Sequence, residues 1–333
     1  MSAHTEPASE GASPLVSVVI PTYGRNEHLV EAVSSVTGQT YDGIELCIVD
    51  DGSPIPVSET LPDDSFEDID SVTFVRHEQN RGANAARNTG IRTARGEYVA
   101  FLDDDDVWHE TKIARQVAAF DAADSEVGVI YTGKRAAGPD GVTVTTPTAE
   151  GNVIKDLLTG ESFGQFSSVM VDADVIDAAG LPDERFPAWQ DREWFFRLAQ
   201  HCHFAPVREV LTYRRVGLPD SITKKFEQKR DVAYPLFVEK HYPLAREYGR
   251  YYARTFVASL RTSLARSAVN AGRYGEARKY FCLAFAANPL YRPVHAHLLP
   301  SLGGKWTYQS AAFLRRLALR EKPNDSSAPQ NIS

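Results

Sequence analysis

With 333 residues, 43% of them hydrophobic and 24% charged, the chain can bury a sizeable core in one large domain or two. A formal net charge of -8 and a pI near 5.6 argue against a nucleic-acid binder, which needs a dominant basic surface, and against tight electrostatic docking on anionic lipid, though they leave room for local basic patches. Cys47, Cys202 and Cys282 match no zinc or CxxC spacing and are the usage of a reducing compartment.

Residues 1–14 carry Ser, Ala, Glu and Pro without an apolar signal core and are expected to be a disordered leader. Order is expected from Leu15. Val16 to Ile20 is a continuous apolar run closed by Pro21-Thr22-Tyr23-Gly24, the pattern of a central parallel strand ending in a turn. His28 to Thr37 has helical apolar spacing and stops at Gly38. Ile44 to Val49 is the next strand, with Cys47 as a small core residue, and it ends in Asp50-Asp51-Gly52-Ser53. Val72 to Val75 reads as a third strand, and Gly82 to Ala94 as an Ala-rich helix.

Tyr98 to Leu102 is a fourth apolar run, and it ends in four consecutive carboxylates, Asp103 to Asp106, before Val107 and Trp108. Along an extended chain Asp103 and Asp105 fall on one face and Asp104 and Asp106 on the other. Adjacent carboxylates repel one another, and such a pair suits a hard divalent cation with positions open for phosphate. A solvated acidic turn is the alternative, weakened here by the apolar strand that leads into the run. Asp106 is expected to cap a helix over His109 to Asp121.

Gly128 to Tyr131 reads as a strand, and Lys134 to Thr146, around Gly138-Pro139-Asp140-Gly141, as a hairpin. Ser168 to Val171 is a strand between short helices at Val153 to Leu158 and Ala173 to Ala179. Asp191 to Gln200 is a helix burying Trp194, Phe195 and Leu198, and Val210 to Arg215 is a last strand. Strands alternating with helices, each strand ending in a polar turn, describe an α/β fold whose ligands bind beyond the strands' carboxyl ends. Past about Lys225 the pattern is helical throughout. Arg266 to Pro289 looks like one helical-hairpin unit of a tetratricopeptide type, read here as a helical cap because a solenoid needs several such units.

Four segments in order carry a family resemblance: Val16 to Arg25, Glu45 to Ser53, Asn80-Arg81-Gly82 with Ala86-Arg87-Asn88-Thr89-Gly90, and the strand ending in Asp103 to Asp106. Over roughly residues 15 to 215 the chain resembles the inverting family 2 glycosyltransferases of the non-processive type. That resemblance implies a GT-A fold, an open, mostly parallel sheet with flanking helices, followed by an all-helical C-terminal region. The corresponding division is a leader at 1–14, a transferase domain at 15–222, a helical cap at 223–320 and a disordered tail at 321–333.

The resemblance also implies roles. Pro21, Thr22 and Tyr23 would line the nucleoside pocket and Asp51 would accept a hydrogen bond from the base. Arg25 and Arg81 would reach the diphosphate, with Asp103 and Asp104 binding the donor and Asp105 holding Mg²⁺ or Mn²⁺. Asp191 would be the general base, with a helix N-cap as its structural alternative and Glu193 as the fallback. Where the family often has Tyr-Arg-x-His this chain has Tyr213-Arg214-Arg215-Val216, so the leaving-group work passes to Arg214, Arg215, Lys224 or Lys225.

The expected activity is transfer of one sugar from a nucleotide-diphosphate sugar, UDP-hexose first, to a glycan or lipid-linked glycan acceptor with inversion. It would serve cell-surface polysaccharide or glycoprotein glycan assembly. No nucleic-acid partner is expected. No apolar stretch approaches the roughly 20 residues that cross a bilayer, so a cytoplasmic protein is expected, at most peripheral at the inner face of the cell membrane. The rival readings are a nucleotidyltransferase that forms nucleotide sugars, for which the turn after the first strand lacks a Gly-rich loop, and a catalytically silent interaction module.

Overall fold

The structure is a computed structural model, and it describes residues 13–61, 66, 69–138, 141–161, 163–215 and 226–310. The leader and tail expectations fall outside the described residues, apart from Ser13 and Pro14. The described chain forms two compact units. One holds the residues up to Arg215 together with Asp231–His241, and the other holds Phe226–Arg230 and residues 242–310.

The first unit opens with β1 (Val16–Thr22), α1 (Asn26–Thr37), β2 (Ile44–Asp50), β3 (Ser71–Arg76), α2 (Ala83–Thr93) and β4 (Tyr98–Phe101). Every residue of β1, β2 and β4 is buried, as expected for strands covered on both faces. There follow β5 (Asp106–Trp108), α3 (Lys112–Asp121), β6 (Val127–Gly138), β7 (Gly141–Thr145) and α4 (Ile154–Thr159). The unit continues with β8 (Val169–Asp172), α5 (Ala173–Ala179), α6 (Gln190–Leu198) and β9 (His203–Arg215).

The sheet runs β3-β2-β1-β4-β8-β6-β9-β5, with β7 paired to β6. Strands β1 to β4 are mutually parallel, β6 and β9 are parallel, β8 runs antiparallel between β4 and β6, and β7 and β5 pair antiparallel with β6 and β9. This is the expected open, mostly parallel sheet with flanking helices. β1 has β2 on one side and β4 on the other, so the chain reverses its direction of travel across the sheet between them. That is where a parallel sheet leaves a crevice at its carboxyl edge.

The hairpin is present, Gly138 facing Gly141 across its end, with Pro139 and Asp140 outside the described residues. β6 and β9 are much longer than expected from Gly128 to Tyr131 and Val210 to Arg215. They pair with each other over most of their length through irregular registers, a non-local support that apolar runs do not reveal. The helix expected from His109 starts at Lys112, and its N-cap is Thr111.

Residues 231–241 pack on the α/β unit although the sequence turns helical near 225. Phe237 is fully buried, with its ring edge-on to Phe186, Trp189 and Phe196. The second unit takes the end of α7 (Tyr234–Glu247) and all of α8 (Arg250–Asn270), α9 (Tyr274–Ala287) and α10 (Arg292–Leu302). Its core is Phe226, Ala265, Ala268, Ala277, Phe281, Ala284 and Val294, so the expected helical hairpin lies at α8 and α9 with small residues at the seam. Among the described residues no helix is long and apolar enough to cross a membrane.

Gly90 shows how the Ala-Arg-Asn-Thr-Gly segment seats α2 on β1: a Cβ there would lie 2.3 Å from Val19 Cγ1. Gly90→Ala should therefore destabilise the protein by about 1–3 kcal/mol through overpacking. Adding Val19→Ala should recover part of that loss, a non-additivity that urea denaturation of the single and double variants would measure.

Candidate functional site

The acidic run does not continue β4. The last ladder bond is Leu102 N–H to Val19 O at 3.0 Å, after which Asp106 N–H donates to Asp103 O at 3.0 Å and folds the run into a turn. The strict alternation of faces expected for an extended chain is thereby lost. Asp103, Asp105 and Asp106 each offer a ligand atom within 4.8 Å of the others, while Asp104 points elsewhere. Asp106 caps no helix. It opens β5 opposite Arg214 of β9, is almost fully buried, and accepts from Gln165 Nε2 and Ser167 Oγ, both at 2.6 Å.

Burial and like charge act together here. Burial, followed by the charge of Asp103, pushes the Asp106 carboxyl up to about 8, and burial with Asp103 also raises Asp105. Arg25 offsets part of this, its Nη1 lying 2.9 Å from Asp105 Oδ2 and 3.2 Å from Asp104 Oδ1.

Asp104 ties the turn to the end of β1. It accepts from Thr22 Oγ1 at 2.8 Å and from Tyr23 N–H at 3.4 Å. Pro21 and Thr22 are buried at that end, and Tyr23 is exposed at its mouth. Gly24, at φ 66°, donates its N–H to Ser53 Oγ at 2.9 Å and so joins the β1 loop to the Asp-Asp-Gly-Ser turn. Within that turn Asp51 is buried. Its Oδ1 meets His77 Nδ1 at 2.7 Å and Arg81 N–H at 2.9 Å, and its Oδ2 accepts from Gly82 N–H at 2.7 Å. Asp51 therefore braces the start of α2. The Arg81 side chain is half exposed and lies 3.7 Å from Glu184.

The acceptor-side candidate sits in the first turn of α6. The N-cap there is Trp189, the one non-glycine residue with positive φ (59°) among the described residues, so Asp191 is not the cap. Asp191 Oδ1 accepts from Arg192 N–H at 2.7 Å. Glu193, the fallback, is excluded as a base. It is fully buried and held by Arg197 at 2.9 Å and Lys240 at 2.7 Å, beside His241. Burial alone would raise its carboxyl, but His241, Arg197 and Lys240 around it prevail and bring it down to about 2.

Two residues of the site carry no role in the sequence reading. Arg87, buried on α2, stacks 3.9 Å above the Phe166 ring; its Nη2 donates to Asp103 Oδ1 at 2.5 Å and its Nη1 to Gln190 Oε1 at 3.3 Å. One guanidinium thus joins the acidic turn to the residue beside Asp191. The Ala-Arg-Asn-Thr-Gly motif contains Arg87, and its place in a helix of small residues is the only signal that could have found it. Burial lowers the Lys134 ammonium of β6, while the charge of Asp191 acts against that shift and the charge of Arg214 adds to it. Arg215 is paired with Glu31 and His28, and Lys224 and Lys225 lie outside the described residues.

The donor set fits a divalent cation. Three carboxylates converge, and Asp106 Oδ1 is a buried oxygen with no hydrogen-bond partner. Hard oxygen donors without His or Cys suit Mg²⁺ or Mn²⁺.

The acidic, arginine-braced turn thus lies at the switch point of an α/β sheet, where such folds bind their ligands. Residues 17–172 match the model of the glycosyl transferase family 2. Over 105 residues it is 40% identical to a protein of Bacillus subtilis named for teichuronic acid biosynthesis, the glycosyltransferase TuaG, covering 31% of this chain and 41% of that one. Other curated relatives are matched in the same partial way, the chain spanning 31% and 38% of their lengths. Among solved structures, S. aureus TarS 1–349 is similar with a TM-score of 0.58 at 16% identity, over 91% of this chain and 92% of that one; it has also been solved with UDP-GlcNAc. The mannosyltransferase PcManGT of Pyrobaculum calidifontis, solved with GDP-Man and Mn²⁺, gives 0.54 at 19% identity over 93% and 89%. At these identities the likeness is one of fold.

Arg87→Met should leave the sheet folded while releasing Asp103 and Gln190 from each other. Misplacing groups by about 1 Å typically costs on the order of 10²-fold in rate, so donor turnover should fall by that order. A melting-temperature shift with UDP and Mn²⁺ should shrink in parallel, and Arg87→Lys should recover little because it cannot span both partners.

Glu193 contributes stability above the ordinary glutamate value of about 4.3, and that contribution is lost as pH falls through its folded value. Glu193→Gln should flatten the acid limb of the stability curve, measured by denaturant unfolding between about pH 5 and pH 2, and lower stability at neutral pH by about 3 kcal/mol.

Proposed function

We propose that this chain is a glycosyltransferase that moves a single sugar from a nucleotide-diphosphate sugar, UDP-hexose first, to a glycan or lipid-linked glycan acceptor with inversion. One observation carries the proposal: an acidic triad within 4.8 Å at the carboxyl edge of the sheet is joined through Arg87 and Gln190 to the helix turn bearing Asp191. Donor and acceptor machinery therefore belong to one connected site. The UDP-GlcNAc and GDP-Man complexes of the fold neighbours, and the teichuronic acid name of the Bacillus relative, support nucleotide sugars and surface polysaccharide as the chemistry.

In this proposal Pro21, Thr22 and Tyr23 line the nucleoside pocket, with Tyr23 offering an exposed ring at its mouth. Asp51 helps by shaping the base pocket, since its oxygens already brace Arg81 and Gly82. Arg25 and Arg81 supply positive charge for the diphosphate. Asp105, with Asp103 and Asp106, would hold Mg²⁺ or Mn²⁺, which when bound supplies positive charge against the departing nucleoside diphosphate. Asp104 keeps the β1 loop registered on the turn. Asp191 takes the acceptor hydroxyl proton, and Lys134 and Arg214 set the local charge around it. Peripheral placement at the inner face of a membrane would bring the site to a lipid-linked acceptor.

Asp191→Asn should lower sugar transfer by roughly 10²–10⁴-fold while nucleotide binding persists. Asp105→Ala should remove the metal-dependent part of the nucleotide melting shift. Full transfer activity in either variant, in a screen of donors with and without Mn²⁺, would overturn the role assigned to that residue.

A further inference from the structure

Residues 242–310 contain ten Arg and Lys, two Glu and no Asp, in a chain whose net charge is -8. Of the two acids, Glu276 is already engaged by Arg230 at 3.0 Å and Arg273 at 3.2 Å. The same helices leave large apolar side chains in water: Leu290 is 76% exposed, Leu299 73%, Leu302 52% and Trp306 80%. Isolated exposed leucines are ordinary, but these follow one helix and its approaches.

Arg292, His295, Leu299 and Leu302 recur at helical spacing along one face of α10. His295 Nε2 lies 2.7 Å from Pro289 O, and the His295 ring stands edge-on to Phe285 at 5.6 Å, so Leu290 and the end of α9 border the same face. Basic groups border the end of α9. Arg254 Nε donates to Ala287 O at 2.6 Å and Arg261 Nη1 to Leu283 O at 2.9 Å, which holds both guanidiniums at the end of α9. Lys305 stands next to Trp306.

We propose that this face of the helical unit docks on an anionic lipid bilayer. Apolar side chains with an exposed Trp, bordered by Arg and Lys, match the acyl boundary and the headgroup charge of such a surface. A second copy fits less well, because a two-fold contact would set this basic patch against itself. Leucines exposed to this degree have no counterpart in a phosphate backbone. The inference deepens the proposed function by naming where a lipid-linked acceptor would be met. The docking itself does not depend on donor chemistry.

The test is sedimentation of the full chain with vesicles of phosphatidylglycerol and phosphatidylcholine, and with phosphatidylcholine alone. The chain should bind the anionic vesicles, and binding should weaken as salt rises well above about 0.15 M. The double variant Leu299→Ser, Trp306→Ser should bind at least about tenfold more weakly, with the UDP and Mn²⁺ melting shift of the parent unchanged. Absence of binding, equal binding to neutral vesicles, or a change of oligomeric state in place of a change in vesicle binding would overturn the proposal. A parent chain that binds vesicles but shows no nucleotide shift would instead count against the transferase reading and leave the docking surface standing.

Discussion

Four adjacent carboxylates at the mouth of a sheet must each be given a different environment, or their repulsion would open the turn. The structure does this with a separate set of partners for each, only Arg25 being shared between Asp104 and Asp105. Asp103 takes Arg87, Asp104 takes Thr22 and the Tyr23 N–H, Asp105 takes Arg25, and Asp106 takes Gln165 and Ser167. Because these partners come from α2, the end of β1 and its loop, the approach to α1 and the segment before β8, the turn ties four separate parts of the unit together. Burial, joined by the repulsion from Asp103, raises the carboxyls of Asp105 and Asp106, and a cation would offset both.

The same economy places the acceptor side. Arg87 is a buried cation whose charge is answered by Asp103 and whose second arm reaches Gln190, while the Phe166 face covers it. Behind α6 a second group of charges, Glu193 with Arg197 and Lys240, fixes the helix to residues 231–241. Asp191 sits in the turn between these two anchors. Neither Arg197 nor Lys240, the two cations that hold Glu193, pairs with Asp191.

The two units divide the chain's charge unequally. The acidic balance of the whole conceals a helical stretch in which basic residues outnumber acids five to one. Net charge alone therefore misjudges the local surfaces: the first unit gathers carboxylates at one crevice, while the basic helices leave large apolar side chains exposed.

Much of the architecture was legible in the residues. Continuous apolar runs at β1, β2 and β4 required strands covered on both faces, and the polar turn after each located the crevice, because strand burial and helix spacing are local patterns. The residue types of the site were legible for the same reason. What the tertiary structure alone decided was direction and partnership. A hydrogen bond between Asp103 and Asp106 turned an apparent alternation into a triad, a strand pairing took Asp106 away from helix capping, and burial beside Lys240 removed Glu193 from candidacy as a base. Arg87 and Lys134 acquired their places only when α2, β6 and α6 came together. These outcomes depend on contacts between residues far apart in the chain, whose energies no local pattern encodes, whereas the strands and the acidic run owe their identity to neighbours a few positions away.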